Sequence, residues 1–215
     1  MTRRCRLRAP DSADIPHTFS ATRYSGFNDG MSWDPPVSED ELHAPLEQNL
    51  EARQANSAFA FTIEKKEDRT FVGRIVIRQT STQDLWNIGY WTHPEHQRNG
   101  FMTEAAQTVI DFGFSVLGAK AIEARLAPWN QPSRRVLERI GMVEVEYIAQ
   151  GFQKHGAWVP EFRMLIERRN LPEQARGATA AATMSAAGQP PPPSWPRLLL
   201  SLSQAMRLLH DVHIK

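Results

Sequence analysis

Between residues 84 and 118 the hydrophobic period of the chain switches from two to 3.6, and this switch limits the fold more than any other stretch. The segment 84–92, "DLWNIGYWT", reads as a strand that Pro94 stops. Beyond it Ala106, Val109, Ile110, Gly113, Val116 and Leu117 share one helical face, and Gly118 stands where a helix stop is expected. A strand "AIEARL" (121–126), a turn "APWNQP" and a helix from Gln131 to Ile140 closed by Gly141 follow. Two further strands, near 142–149 and 157–167, complete the pattern.

Upstream, Phe59–Glu64 and Phe71–Gln79 are strands joined by the polar turn "KKEDR", and with 84–92 they predict an antiparallel meander. In the middle strand Phe71, Gly73, Ile75 and Ile77 alternate with Val72, Arg74, Val76 and Arg78, which predicts one buried and one partly wet face. Residues 11–22 and 38–55 have helical spacing, with Ser38 and Glu41 as a capping box. Arg6, Leu7 and Arg8 fit a first strand. A meander followed by strand, helix, strand, helix is a mixed α/β (α+β) domain.

The chain has 215 residues, enough for one sizeable core but short for two full domains. Lys and Arg number 25 against 24 Asp and Glu, so a net charge of +1 offers no field to recruit nucleic acid or an anionic membrane. The start "MTRRCRLR" could serve as a nucleic-acid arm or transit peptide, but Asp11 and Asp14 follow at once and the alternation suits a strand. Cys5 is the single cysteine, which excludes an internal disulfide and argues against a metal site; no apolar run would span a membrane, and a cytoplasmic protein is expected.

Near residue 170 periodicity gives way to alanine, glycine, serine and proline. Residues 170–196 read as a linker stiffened by Pro190–Pro193. Residues 197–213 then place Leu198 or Leu199, Leu202, Met206, Leu209 and Val212 on one stripe of a short amphipathic helix. That stripe could dock on the domain, pair with a second copy in a homodimer, or be a chance extension; its few cations speak against a membrane role.

"HPEHQRNGFMTEA", His93–Ala105, leaves a strand and enters a helix. Such a turn delivers unpaired backbone N–H groups and the positive end of a helix dipole to one point. Gly100 lets the backbone approach an anion and Arg98 adds a charged donor, so a phosphate or pyrophosphate is the expected ligand. The plainer alternative makes Gly100 a turn residue and Thr103 an ordinary cap. Neither GxxxxGK[ST] nor GxGxxG is present, so nucleoside triphosphates and dinucleotides lack their usual signature.

Two stretches, "IGYWTHPEHQRNGFMTEAAQTVIDFGF" and "ARLAPWNQPSRRVLERIGM", resemble the GNAT superfamily of acyl-coenzyme A dependent N-acetyltransferases, and within it the RimJ/RimL branch that acetylates protein N-termini and related amines. The resemblance runs from about Arg6 to about Arg168, giving an N-acetyltransferase domain over 6–168. It implies a GNAT-like, mostly antiparallel sheet of about seven strands flanked by about four helices, with splayed central strands. The pyrophosphate signature Q/R-x-x-G-x-G/A reads Gln97, Arg98, Asn99, Gly100, Phe101, Met102, with Met102 where Gly or Ala is usual; Thr103 completes the helix start.

The resemblance further implies acetyl-CoA as acyl donor, no metal, and an amine acceptor. The pantetheine arm would lie between the strand ending at Trp91 and Thr92 and the strand 121–126, with backbone N–H near Trp91 and Thr92 polarising the thioester carbonyl. Asn130 matches a coenzyme-contacting asparagine and is also a natural N-cap. The tyrosine acid common in the family falls at Leu137, which cannot act, and Ser133 matches a serine near the coenzyme sulfur. Trp33 in "SGFNDGMSWDPP" and Phe152 and Trp158 in "QGFQKHGAWVPE" are expected as acceptor walls. For the base, Glu104 suits helix positioning better, Glu161 and His155 lie in the last hairpin, and a water chain is the other route. A non-catalytic acyl-CoA binding or sensing module is the second reading.

Overall fold

Three antiparallel strands, β2 (Ala58–Lys65), β3 (Phe71–Gln79) and β4 (Leu85–Thr92), form the meander that their alternation predicts. β1 (Cys5–Arg8) adds antiparallel to β2. β5 (Ala121–Leu126) lies parallel to β4 and is followed outward by β7 (Ala157–Glu167) and β6 (Val143–Lys154), so the order is β1-β2-β3-β4-β5-β7-β6. The computed structural model describes residues 2–168; the linker at 170–196 and the helix at 197–213 lie outside the described residues. Among the described residues no helix is long and apolar enough to cross a membrane.

Among the described residues the four α-helices are α1 (Ile15–Thr22), α2 (His43–Gln54), α3 (Phe101–Ser115) and α4 (Gln131–Arg139). α3 connects β4 to β5, as a parallel pair requires. Its stripe packs Val109, Ile110 and Phe114 onto Ile77, Ile88 and Ile122, all buried; each such side chain contributes about 1.5–3 kcal/mol. Phe112 sits edge-on to Phe59 at 5.4 Å and Phe61 at 5.9 Å. The helix lies close to the sheet at Gly113, where a Cβ would stand 2.7 Å from Ile122 Cδ1 and 2.8 Å from Ile77 Cδ1. Val116 departs from the expected stripe: the helix ends at Ser115 and Val116 is exposed.

The second face of β3 is largely covered, with Arg74 and Arg78 left partly exposed. Val72 and Val76 are buried, and Arg74 is drawn into a charge cluster beneath α1. Asp14, 1% exposed, accepts from both terminal guanidinium nitrogens of Arg8, from the Thr62 hydroxyl at 2.6 Å and from the Asp11 N–H at 3.0 Å, while Arg8 Nε binds Glu64. Burial alone would raise the Asp14 carboxyl, yet the donors from Arg8, Thr62 and Asp11 hold it below the usual range. The helix expected over 11–22 begins as a 3-10 turn at Ser12–Asp14, capped by a reciprocal Asp11–Asp14 box. The box expected at Ser38 does not form: Ser38 makes no side-chain cap bond, Glu41 accepts from Val37 N–H instead, and 39–42 is a 3-10 turn before α2.

Candidate active site

β4 and β5 begin side by side and then part. Their pairing covers Leu85–Ala121, Trp86–Ile122 and Asn87–Glu123 and goes no further, although both strands continue. The flank of β4 from Ile88 to Thr92 is therefore open. His93 N–H bonds Val72 O at 2.8 Å, so in this antiparallel ladder His93, Trp91 and Gly89 turn their peptide groups toward β3. Thr92 and Tyr90 turn theirs toward the opening. Of the two amides expected to face the thioester, only that of Thr92 points into the gap; that of Trp91 is taken up in the pairing with Arg74. Gly73 makes the close approach possible, since a Cβ there would lie 2.3 Å from Trp91 O.

The gap widens into a cavity of about 770 Å³, lined by Tyr90, Trp91 and Thr92, by His96–Arg98 and Gly100–Thr103, by Trp129, Asn130, Pro132, Ser133, Arg135, Val136 and Arg139, and by the loop residues Gly26, Phe27, Asp29, Gly30 and Met31. At one end Arg98 (φ +63°) and Gly100 (φ +77°) are left-handed, and Gly100 caps α3 without a side chain. The first N–H groups of α3 are thus left without side-chain acceptors at the positive end of its dipole. Gln97 Nε2 reaches back to Thr92 O at 3.4 Å, and Asn99 braces the turn by donating to Gln97 O at 3.0 Å. Met102 is buried against the core and lines the cavity, so a larger side chain than the signature's Gly or Ala is accommodated inward.

The cradle is held from behind by the N-terminal segment. Arg4 stacks over the Phe101 ring at 4.8 Å, donates to Asn99 O at 3.0 Å and pairs with Glu104 at 3.0 Å. Burial would raise the Glu104 carboxyl, but the Arg4 and Cys5 donors bring it below the usual range. Glu104 is a brace between α3 and β1, consistent with a positioning task. Burial pushes the neighbouring Cys5 thiol up to about 11.

On the far wall Asn130 Oδ1 accepts from Ser133 N–H at 3.1 Å, capping α4, while Gly30 of the roofing loop packs beside its Nδ2. Ser133 lines the cavity, and its hydroxyl lies 3.0 Å from the Tyr90 hydroxyl, which also donates to Ser133 O at 3.1 Å. Leu137 is fully buried in the core. Arg135 and Arg139, one turn apart on α4, add positive charge to the cavity that the cradle closes at its other end.

The expected acceptor walls are not gathered here. Trp33 stands one ring away, edge-on to Phe27 at 6.5 Å, and Phe27 meets Trp91 at 5.5 Å. Phe152 is buried and Trp158 is half exposed on the β6–β7 hairpin, and neither lines the cavity. Lys154 ties that hairpin to the roofing loop through Asn28 O and, at 3.0 Å, Met31 O. Glu161 is fully buried, 4.0 Å from Arg125, and His155 is exposed at the hairpin tip, 3.5 Å from Asp34. Asp29 is the one carboxylate on the cavity lining among the described residues. Sequence reasoning missed Tyr90, Asp29, Arg135 and Arg139; the 132, 135/136, 139 spacing on α4 was the available signal. Among the described residues no group of His, Cys, Asp and Glu could hold a metal ion.

A long cleft with an anion cradle at one end and an unpaired strand flank along its length suits a rod-like, phosphate-bearing acyl carrier, and defines a coenzyme A dependent acyltransferase. Residues 4–143 match the model of the acetyltransferase (GNAT) domain, and the chain belongs to that family: it is an acetyl-CoA-dependent N-acetyltransferase. YnaD of Bacillus subtilis (strain 168), an uncharacterised N-acetyltransferase, is 26% identical over 129 residues, 60% of this chain and 74% of that one. Mycobacterium smegmatis RimJ in complex with CoA-disulfide has a TM-score of 0.69 at 24% identity, covering 83% of this chain and 89% of that one. RimL, a ribosomal L7/L12 alpha-N-protein acetyltransferase solved with coenzyme A, has a TM-score of 0.70 at 17% identity, covering 77% of this chain and 95% of that one.

Proposed function

We propose that the protein acetylates a primary amine, with a protein N-terminal α-amine as the first choice of acceptor, by direct transfer within a ternary complex. The observation that carries this reading is the parting of β4 from β5 after Asn87, which leaves the Thr92 amide facing a cleft that ends in the anion cradle. The coenzyme pyrophosphate takes the N–H groups around Gln97–Thr103, with Arg98 and the α4 arginines near its charge. The pantetheine arm runs along Ile88–Thr92 in place of the missing strand. The acceptor enters beneath the loop of Phe27–Met31, beside Trp91. Its protein nature is supported by the names RimJ and RimL among the structural neighbours.

In the transfer the neutral amine attacks the thioester carbon, and the Thr92 N–H donates to the developing oxyanion. The C–S bond then breaks, the sulfur leaves with the electron pair and takes a proton, and the proton lost by the amine passes to water. Ser133 donates a hydrogen bond to the departing sulfur. Asp29 supplies the negative charge that favours a cationic amine at the cavity mouth. Because two substrates are held in register, a strong base is unnecessary.

The test incubates the full chain with acetyl-CoA and a panel of N-terminal peptides, polyamines and small amines, following thiol release and acetylated product by mass spectrometry. Acetylated peptide N-termini are expected. Product on polyamines or small amines alone would reassign the acceptor, and coenzyme binding without turnover on any amine would overturn the reading.

A further inference from the structure

The family position for a tyrosine acid is Leu137, fully buried, yet a tyrosine hydroxyl stands beside Ser133 all the same. It comes from another element. Tyr90 sits opposite Ile75 in the ladder, so its side chain falls on the face covered by α3 and α4 and reaches across the gap to the first turn of α4. Its oxygen is 3.1 Å from Ser133 O and 3.0 Å from Ser133 Oγ, and both residues line the cavity.

A phenol has one proton and a serine hydroxyl has one, which leaves two arrangements. In the first, Tyr90 donates to Ser133 O and accepts from Oγ, and the serine proton is turned away from the cleft. In the second, Tyr90 donates to Oγ and the serine proton is free to point into the cleft. The Ser133 N–H is already bonded to Asn130, so the backbone of this turn stays fixed while the hydroxyls exchange. Negative charge developing on a nearby sulfur favours the second arrangement, because each donor in the chain polarises the next. Burial pushes the Tyr90 hydroxyl well above the ordinary phenol value, so it remains a donor throughout the working pH range.

We infer that Tyr90 is a positioning residue for the transfer: its hydroxyl turns the Ser133 proton toward the leaving sulfur. This rests on the reading of Ser133 as the sulfur's partner. Neither residue changes protonation in the step; the C–N bond forms, the C–S bond breaks, the sulfur leaves with the electron pair, and solvent exchanges the protons.

The experiment compares the full-length wild type with Tyr90→Phe, Ser133→Ala and the double variant, in kcat, in KM for acetyl-CoA, and in the pKa of the bound CoA thiol followed by thiolate absorbance. Tyr90→Phe and Ser133→Ala should each lower kcat about tenfold with KM within about twofold, and the double variant should fall no further than Ser133→Ala. The bound thiol pKa should rise by about one unit in both single variants, a readout that needs no acceptor. If Ser133→Ala is impaired while Tyr90→Phe keeps wild-type kcat and thiol pKa, or if the two losses multiply, the role of Tyr90 is overturned. Wild-type behaviour of Ser133→Ala would overturn the reading of Ser133 itself. Should Tyr90→Phe fail to fold, 3-fluorotyrosine at position 90, a stronger donor of nearly the same shape, should lower the thiol pKa; no shift would count against the inference.

Discussion

Replacing Gly100 by alanine and by glutamate separates backbone strain from anion recognition. Gly100 has φ +77°, and a left-handed conformation costs a residue with a side chain about 1–2 kcal/mol. The nearest atom to an added Cβ would be the end of the Arg4 guanidinium at 3.3 Å, a group able to give way. Gly100→Ala should therefore lose about 1–2 kcal/mol of stability and little affinity for coenzyme A. Glutamate carries the same backbone cost and adds a charge. About 5 Å from one phosphate charge, at an effective dielectric of about 20, it meets roughly 3 kcal/mol of repulsion. Pairing with Arg4 and screening by salt reduce this to about 2 kcal/mol, or about 30-fold in dissociation constant. Calorimetric titration with coenzyme A, alongside urea unfolding of both variants, gives the two quantities separately. If folded Gly100→Glu binds within about threefold of Gly100→Ala, the pyrophosphate does not lie at this turn.

Asp14→Asn breaks the cluster under α1 and leaves Arg8 and Arg74 short of a partner, which should cost about 3–5 kcal/mol in urea unfolding at pH 7. Because the Asp14 carboxyl lies below its unfolded value of about 3.9, its contribution is fully present above that pH and is lost as pH falls through the folded value; the wild type should weaken below about pH 4 and the variant should show a flatter profile there. Gly73→Ala would press on Trp91 O, a backbone atom that cannot swing aside, so the end of β4 should shift; KM for acetyl-CoA should rise several-fold, and an unchanged value would show that this register does not shape the cleft. We also propose that the domain ends near residue 168: a chain stopped after Arg169 should melt within a few degrees of the full protein and still bind coenzyme A, and loss of a cooperative transition would assign the tail to the core.

Much of the fold was legible because its signals are local. The meander shows in period-two alternation, α3 in its 3.6 stripe, and Gly118 and Gly141 follow their helices with positive φ as helix stops do. What escaped depends on partners distant in sequence. Arg74 and Arg78 read as a partly wet face, but Asp14, far off in the chain, meets both Arg74 and the Thr62 hydroxyl, so most of that face is covered. The Ser38 box failed for the opposite reason: Glu41 is in place, but the chain before the turn offers it the Val37 N–H first. The order β5-β7-β6 and the length of β6, which runs to Lys154, are set by hairpin pairing that alternation near 142–149 only hinted at.

The site divides along the same line. Gln97 to Thr103 is contiguous, and one glycine in the right conformation suffices to announce it. The rest of the lining comes from three separate segments, 26–31, 90–92 and 129–139, which residue type did not single out: Trp33 lies behind Phe27, and Phe152 is buried away from the cavity. Trp91 and Thr92 show where the boundary falls. Sequence could nominate both amides but not choose, since a strand's peptide groups alternate and either parity fits the same residues. One bond, from His93 N–H to Val72 O, settles the parity for the whole strand. It turns Trp91 to β3, Thr92 to the open cleft, and, by the same alternation, sends the Tyr90 side chain under the sheet to Ser133. The amide that faces the open cleft and the hydroxyl that faces the serine are thus consequences of a single register, and a one-residue slip of β4 would remove both together.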